Sequence, residues 1–201
     1  MTPDLIFDFD GVIADTRDAL FAMFQDFVPD ITPEDFAAHF DGNVYDSPRI
    51  KFTKDEAARL HDAYCERLTV EQLSRAVAPI RRLTTMHRLF IISSGDERGI
   101  ARVLKGAGIH GCFQAVYGHN THTSKVAKFK MIRDQFNLRF DNAVFVTDTL
   151  GDLHEAHAVS LTTIAETFGF HDRGRLEQGA PHMIVDTWEA LETAIAGLGP
   201  S

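Results

Sequence analysis

The chain of 201 residues is 44% apolar and carries a formal net charge of −9, which suits one globular domain, or one domain with a modest insertion, that buries its own core. The acidic balance disfavours nucleic acid or an anionic membrane as partner, since either surface repels it, and no run approaches the ~20 apolar residues that span a bilayer. Cys65 and Cys112 make no disulfide framework, and Asp4, Asp8 and Asp10 interrupt any signal-like start, so the expected setting is cytoplasmic, with the mature chain beginning at or near Met1.

In chain order, the first expected strand is Leu5 to Phe9, running into Asp8-Phe9-Asp10-Gly11-Val12-Ile13-Ala14-Asp15. Residues i and i+2 of a strand point to one face at about 3.3 Å rise per residue. Asp8 and Asp10 are therefore expected to converge where Gly11 frees the backbone to turn. Like charges held that close persist where a cation, a shared proton or a phosphoryl group makes use of them. Asp15 and Thr16 follow as hinge or N-cap residues.

From about Asp15 to Pro79 no strand is legible and helical signals take over. Leu20, Met23, Phe24 and Phe27 form an apolar stripe, and Phe21, Phe24 and Phe27 read as core packing rather than a substrate box. Thr32-Pro33-Glu34-Asp35 places Pro at the first helical position after a capping Thr, and Thr53 with Glu56 is a capping box opening a helix through Leu60, Tyr64 and Leu68. Arg49 and Lys51 lie in the Gly42 to Phe52 connection, either as solvated loop cations or as groups reaching an acidic substrate moiety.

Beyond Pro79, strand-like runs at Leu89 to Ile92, Ala115 to Tyr117, Ala143 to Val146 and Leu161 to Ile164 alternate with helical stretches, the pattern of βαβ units and a parallel sheet. After Asp96, Ile100, Val103, Leu104 and Ala107 recur at helical spacing and Gly108 supplies the stop. Further helices are expected from about Ser124 to Phe136 and from about Thr187 to Leu198. The fold class is α/β: a doubly wound parallel sheet from residues 1–14 and 80–201, with a small α-helical cap, residues 15–79, inserted over the carboxyl edge where such sheets bind ligands. The ten histidines are spread singly, and most read as surface or loop residues.

Four stretches stand out in order. They are Asp8-Phe9-Asp10-Gly11-Val12, Leu89-Phe90-Ile91-Ile92-Ser93-Ser94, Lys125, and Val144-Phe145-Val146-Thr147-Asp148-Thr149-Leu150-Gly151-Asp152. Together they resemble the four motifs of the haloacid dehalogenase (HAD) superfamily. Thr162-Thr163-Ile164-Ala165 through Phe168-Gly169-Phe170 to Ile184-Val185-Asp186 resembles the tail of its phosphoglycolate phosphatase-like branch.

The resemblance implies a Rossmann-like core and a Mg²⁺-dependent phosphomonoester hydrolase that acts on a small phosphorylated metabolite through an aspartyl-phosphate. By the same resemblance Asp8 is the nucleophile and Asp10 the general acid and base. The Ser93 hydroxyl and the Ser94 N–H hold phosphoryl oxygens. Lys125, or Lys128 one helical turn on, offsets charge at the transition state, and Arg49 is a candidate for the rest of the substrate. The implied magnesium site is a carboxylate oxygen of Asp8, the backbone carbonyl of Asp10 and Asp148, with Asp152 direct or through water.

These residue types fit that chemistry. A carboxylate attacks a phosphate dianion only when a divalent cation neutralises both, and hard oxygen ligands suit Mg²⁺. Thr147 stands where the fourth motif often has glycine, and the insertion is short for a helical cap, which implies a shallow pocket or one completed by another subunit. A sugar phosphomutase of the same fold is the alternative, disfavoured by Leu20 in the neighbourhood where mutases commonly carry a cap histidine. A non-catalytic phosphate-ligand binding protein would not need nucleophile, acid, lysine and metal acids together.

Overall fold

The computed structural model describes residues 2–198. Its strands are β1 (Asp4–Phe7), β2 (Leu89–Ile92), β3 (Phe113–Tyr117), β4 (Ala143–Thr147), β5 (Thr162–Glu166) and β6 (Met183–Val185). The helices among these residues are α1 (Arg17–Gln25), α2 (Pro33–His39), α3 (Lys54–Arg67), α4 (Val77–Leu83), α5 (Glu97–Gly106), α6 (Lys125–Phe136), α7 (Leu150–His157), α8 (Arg173–Glu177) and α9 (Trp188–Gly197). The strands form one sheet in the order β3-β2-β1-β4-β5-β6, every neighbouring pair parallel.

A parallel sheet survives in water only with both faces covered, and the period-2 alternation of strand side chains supplies two apolar faces. Leu5, Phe7, Leu89, Ile91, Val144 and Val146 enter one core, while Ile6, Phe90, Ile92 and Phe145 enter the other. The first is covered by α5, through Ile100, Val103 and Leu104, and by α9, through Trp188 and Leu191. The second is covered by Phe129 and Ile132 of α6 and Ala156 of α7. This is the doubly wound α/β arrangement. Its order reverses beside β1, so a crevice opens at the carboxyl ends of β1, β2 and β4.

Strand limits differ from the sequence expectation for local reasons. β1 stops at Phe7 because the chain turns at once: the Phe9 carbonyl accepts from both the Ile13 and Ala14 N–H at 2.9 Å, and Gly11 takes φ +80°. Asp8 and Asp10 thus lie on a turn beyond β1, not on one strand face. β5 runs two residues past Ile164, to Glu166, and β6 forms from a stretch too short and too exposed at Met183 to register as an apolar run.

Between β1 and β2, helices α1 to α3 make an aromatic cluster. Phe24 meets Phe36, Phe52 and His39 edge-on with ring centroids 5.2–5.7 Å apart, a favoured geometry, and this cluster is continuous with the core beneath the sheet. The capping box of α3 is formed, Thr53 accepting from the Glu56 N–H and Glu56 from the Thr53 N–H, and α3 packs on α1 and α5. The expected division between residues 79 and 80 falls inside α4, which is tied to α9 by a bidentate Arg82–Glu192 pair at 2.8 and 2.7 Å.

Most histidines lie at the surface or in loops as expected, and two, His39 and His171, are buried. Leu150 N–H donates to His171 Nδ1 at 3.0 Å, so the ring proton is on Nε2, 2.9 Å from the Ala37 carbonyl, and one neutral imidazole joins α2 to α7. Both cysteines are free. No helix among the described residues is long and apolar enough to cross a membrane.

Candidate active site

The crevice at the carboxyl edge of the sheet holds a cavity of about 560 Å³ lined by Asp8, Asp10, Ser94, Lys125 and Asp152 on the sheet side and by residues of the α1–α3 segment opposite. The residues that line it belong to this one chain.

Asp8 leaves the end of β1, its N–H donating to the Val146 carbonyl at 2.9 Å, so β4 fixes the position of its backbone. Its Oδ1 accepts from the Phe9 N–H at 2.7 Å and lies 2.9 Å from Lys125 Nζ. Asp10 takes two hydroxyl donors, Thr16 Oγ1 on Oδ1 and Tyr64 Oη on Oδ2, both at 2.9 Å. Thr16 precedes α1 but makes no side-chain cap; its hydroxyl is spent on Asp10. Burial pushes the Asp10 carboxyl up to about 6, and the Tyr64 and Thr16 hydroxyls restrain that rise.

Lys125 and Lys128 both lie in the first turn of α6 and both are buried, so neither is a surface lysine. Lys125 Nζ bridges Asp8 and Asp152, 2.9 and 2.5 Å away. Lys128 Nζ donates instead to the Ser93 carbonyl at 2.5 Å and the Gly118 carbonyl at 3.4 Å, bracing the loops after β2 and β3. Burial lowers Lys128 to about 8, with the Lys125 charge adding to the effect, whereas the two carboxylates on Lys125 outweigh its burial and raise it. Ser93 is wholly buried at the end of β2, its Oγ accepting from the Gly95 N–H at 2.9 Å, and Ser94 lines the cavity.

Asp148 follows β4 and is wholly buried. Its Oδ2 accepts from the Phe170 N–H at 2.7 Å, while its Oδ1 has no partner in the protein. Glycine is required on both sides of it: a Cβ on Gly11 or Gly169 would come within 2.0 or 2.2 Å of Asp148 Oδ2. Asp152, in the first turn of α7, spends Oδ2 on Lys125 and on the Thr147 hydroxyl at 2.7 Å. Thr147 therefore contributes a donor where a glycine would leave none. Burial raises the Asp152 carboxyl, but the Lys125 charge and these hydrogen bonds outweigh it and hold the group below its ordinary range. Asp8 goes the other way. Burial raises it, Lys125 only partly offsets this, and the neighbouring Asp152 and Asp148 charges add to the rise.

Lys125 thus meets two carboxylates, Asp8 and Asp152, and neither Asp10 nor Asp148 has a cation among its partners. No three His, Cys, Asp or Glu side chains among the described residues converge as a cage, but the implied magnesium set is of another kind, two carboxylates, one backbone carbonyl and retained waters. The residues present fit it. Asp148 Oδ1 is an orphaned buried oxygen, and an uncompensated acid there is costly unless a cation faces it.

Arg49 is not brought to the site; its guanidinium is exposed and paired with Asp35 at 3.5 Å. Lys51, its neighbour in the same connection, lines the cavity. Several contributors carry no sequence signal. Tyr64 reads simply as part of an apolar helix stripe. Glu155 Oε1 caps α6 by accepting from the Lys125 N–H at 2.9 Å, and Glu166, at the end of β5, is a buried acid whose Oε2 accepts from the Phe168 N–H at 2.8 Å. Burial, then the Asp148 charge, raises Glu166 well above its ordinary range.

A family model described as haloacid dehalogenase-like hydrolase matches residues 5–166. No curated protein matches the chain. Among solved structures, a hydrolase from Pseudomonas syringae is 17% identical with a TM-score of 0.81, covering 98% of this chain and 99% of that one. A predicted phosphatase from Clostridium acetobutylicum is 16% identical, TM-score 0.79, covering 98% and 100%. A predicted phosphoglycolate phosphatase from Haemophilus somnus 129pt is 17% identical, TM-score 0.73, covering 96% and 97%. At such identities the likeness is one of fold.

Proposed function

The chain belongs to the haloacid dehalogenase-like hydrolase family, and we propose that within it the protein is a magnesium-dependent phosphomonoester hydrolase working through an aspartyl-phosphate on Asp8, with residues 15–79 as its cap. The observation that carries this reading is the charge imbalance at the sheet edge. Lys125 pairs with Asp8 and Asp152 alone, Asp10 has only hydroxyl partners, and Asp148 Oδ1 is left buried without a partner. A divalent cation and a phosphoryl group are the ligands that such a cluster accommodates together.

In this reading Asp8, the Asp10 carbonyl and Asp148 would hold the magnesium, with Asp152 reaching it through water while it anchors Lys125. When bound, the cation supplies charge neutralisation for nucleophile and phosphoryl oxygens. The Asp8 carboxylate attacks phosphorus and the bond to the alcohol oxygen breaks, while Asp10 delivers its proton to that oxygen. Asp10, now ionised, takes a proton from the water that cleaves the aspartyl-phosphate and releases inorganic phosphate. A carboxyl near 6 is suited to both roles. Lys125 balances charge on the phosphoryl oxygens, and Ser93 and Ser94 orient them.

The test is phosphate release from a panel of small monoesters with Mg²⁺, by the native protein and by Asp8→Asn. Removing the nucleophile is expected to lower turnover by about 10³-fold or more. Phosphate release that persists in Asp8→Asn rules out the assignment.

A further inference from the structure

We propose that the alcohol portion of the substrate is a neutral, largely apolar group of about aromatic-ring size, and not a short carboxylate-bearing acid such as glycolate; this rests on the hydrolase reading above. The cavity over Asp8 and Asp10, at about 560 Å³, falls in the range that encloses whole organic ligands and leaves most of its space empty around a two-carbon acid. The wall facing the acids is built by Leu20, Phe24, Ile50, Phe52 and Leu60.

Charge points the same way. Five acids line the cavity, Asp8, Asp10, Asp46, Asp152 and Glu155, against two lysines among the described residues, Lys51 and Lys125. Lys125 is already shared between Asp8 and Asp152, and Lys51 is exposed at the rim. Arg49, which could have met a second anion, is turned to Asp35. The lining histidines add no charge, because burial pushes His39 down to about 4 and lowers His61. A carboxylate on the leaving group would give up its water on an apolar wall among like charges, with no dedicated cation in return.

The wall also has positive features for a ring. Tyr45 is pinned by its hydroxyl, which donates to the Ser94 carbonyl at 2.6 Å, and it forms a cluster of near-parallel rings with His119 and His61, 5.2 and 6.4 Å away. His39 lines the cavity, and its Nδ1 has no hydrogen bond within the protein.

Benzyl phosphate and 2-phosphoglycolate both release an alkoxide of similar basicity, so their kcat/KM ratio reads the cavity rather than intrinsic reactivity. With Mg²⁺, benzyl phosphate is expected to be preferred by about tenfold or more. Phe52→Ala should lower that ratio about fivefold, and Leu60→Arg, which places a guanidinium on the wall, should bring it toward unity or reverse it; melting curves establish that each variant is folded. In parallel, calorimetry with benzylphosphonate and phosphonoacetate, with and without Mg²⁺, should favour the aromatic phosphonate. Preference for phosphoglycolate and phosphonoacetate in the native protein overturns the proposal. If neither ester nor 4-nitrophenyl phosphate is hydrolysed, the hydrolase reading fails, and the two phosphonates still decide the cavity: tighter benzylphosphonate supports the assignment and tighter phosphonoacetate removes it.

Discussion

Asp10 is held by Thr16 from one side and by Tyr64 from the other, each hydroxyl 2.9 Å from a carboxylate oxygen. Both donors stabilise the ionised form, against burial that pushes the group up to about 6. The proposed transfer to the leaving oxygen uses protonated Asp10, so kcat/KM falls as pH rises through the Asp10 value. Tyr64→Phe removes one donor to the carboxylate, so its pKa rises and that alkaline limb moves to higher pH by about one unit. A pH–rate profile checks this; a uniform loss of rate with the limb unmoved would reduce Tyr64 to a packing residue. Asp8 and Asp10 were legible as site candidates from their own spacing, whereas Lys125, Asp148 and Asp152 were candidates through the resemblance of all four motifs in order. Tyr64 was not, since its place on an apolar helix stripe accounts for it fully, and its hydroxyl meets Asp10 only through a contact 54 residues apart. Arg49 took the first of its two readings, a solvated loop cation, and turned outward to Asp35.

Helix α3 carries Leu60, His61 and Tyr64 to the cavity, so its first turn matters beyond its own stability. The Thr53–Glu56 capping box satisfies N–H groups that the helix cannot bond internally. Thr53→Ala is expected to cost about 1 kcal/mol in urea unfolding, with a lower midpoint and an unchanged slope. An unchanged midpoint would mean that packing on α1 and α5 alone fixes the helix. At this scale the sequence was most informative where local chemistry and tertiary packing agree. The Thr32-Pro33 start and the Thr53 box form as expected, and α5 buries Ile100, Val103 and Leu104. Strand ends were least legible, because β1 stops where the chain turns at Phe9 to Ala14, and β5 extends to Glu166 where β6 pairs with it. The five-residue α8 and three-residue β6 are too short for periodicity to mark.

Across the whole molecule, the parallel order 3-2-1-4-5-6 gathers chain segments far apart in sequence at one edge, and with them their acids. Asp8, Asp148, Asp152 and Glu166 are all buried there, and burial raises Asp8, Asp148 (to about 8) and Glu166, so holding them all ionised in the metal-free protein is costly. Stability should therefore be linked to the cation. A ligand that binds only the folded state adds about 2.7 kcal/mol at one hundred times its dissociation constant, so Mg²⁺ should raise the melting temperature in a concentration-dependent way and chelation should reverse it. Asp148→Asn separates this from a general salt effect. With one buried acid removed and the carboxyl that lacked a partner replaced by an amide, the metal-free variant should melt at or above the native protein, yet gain little from Mg²⁺. Thermal melts of the two proteins across a Mg²⁺ series, at constant ionic strength, check this. An equal Mg²⁺ increment in both would show that Asp148 is no ligand and that the charge deficit at the sheet edge is met in some other way.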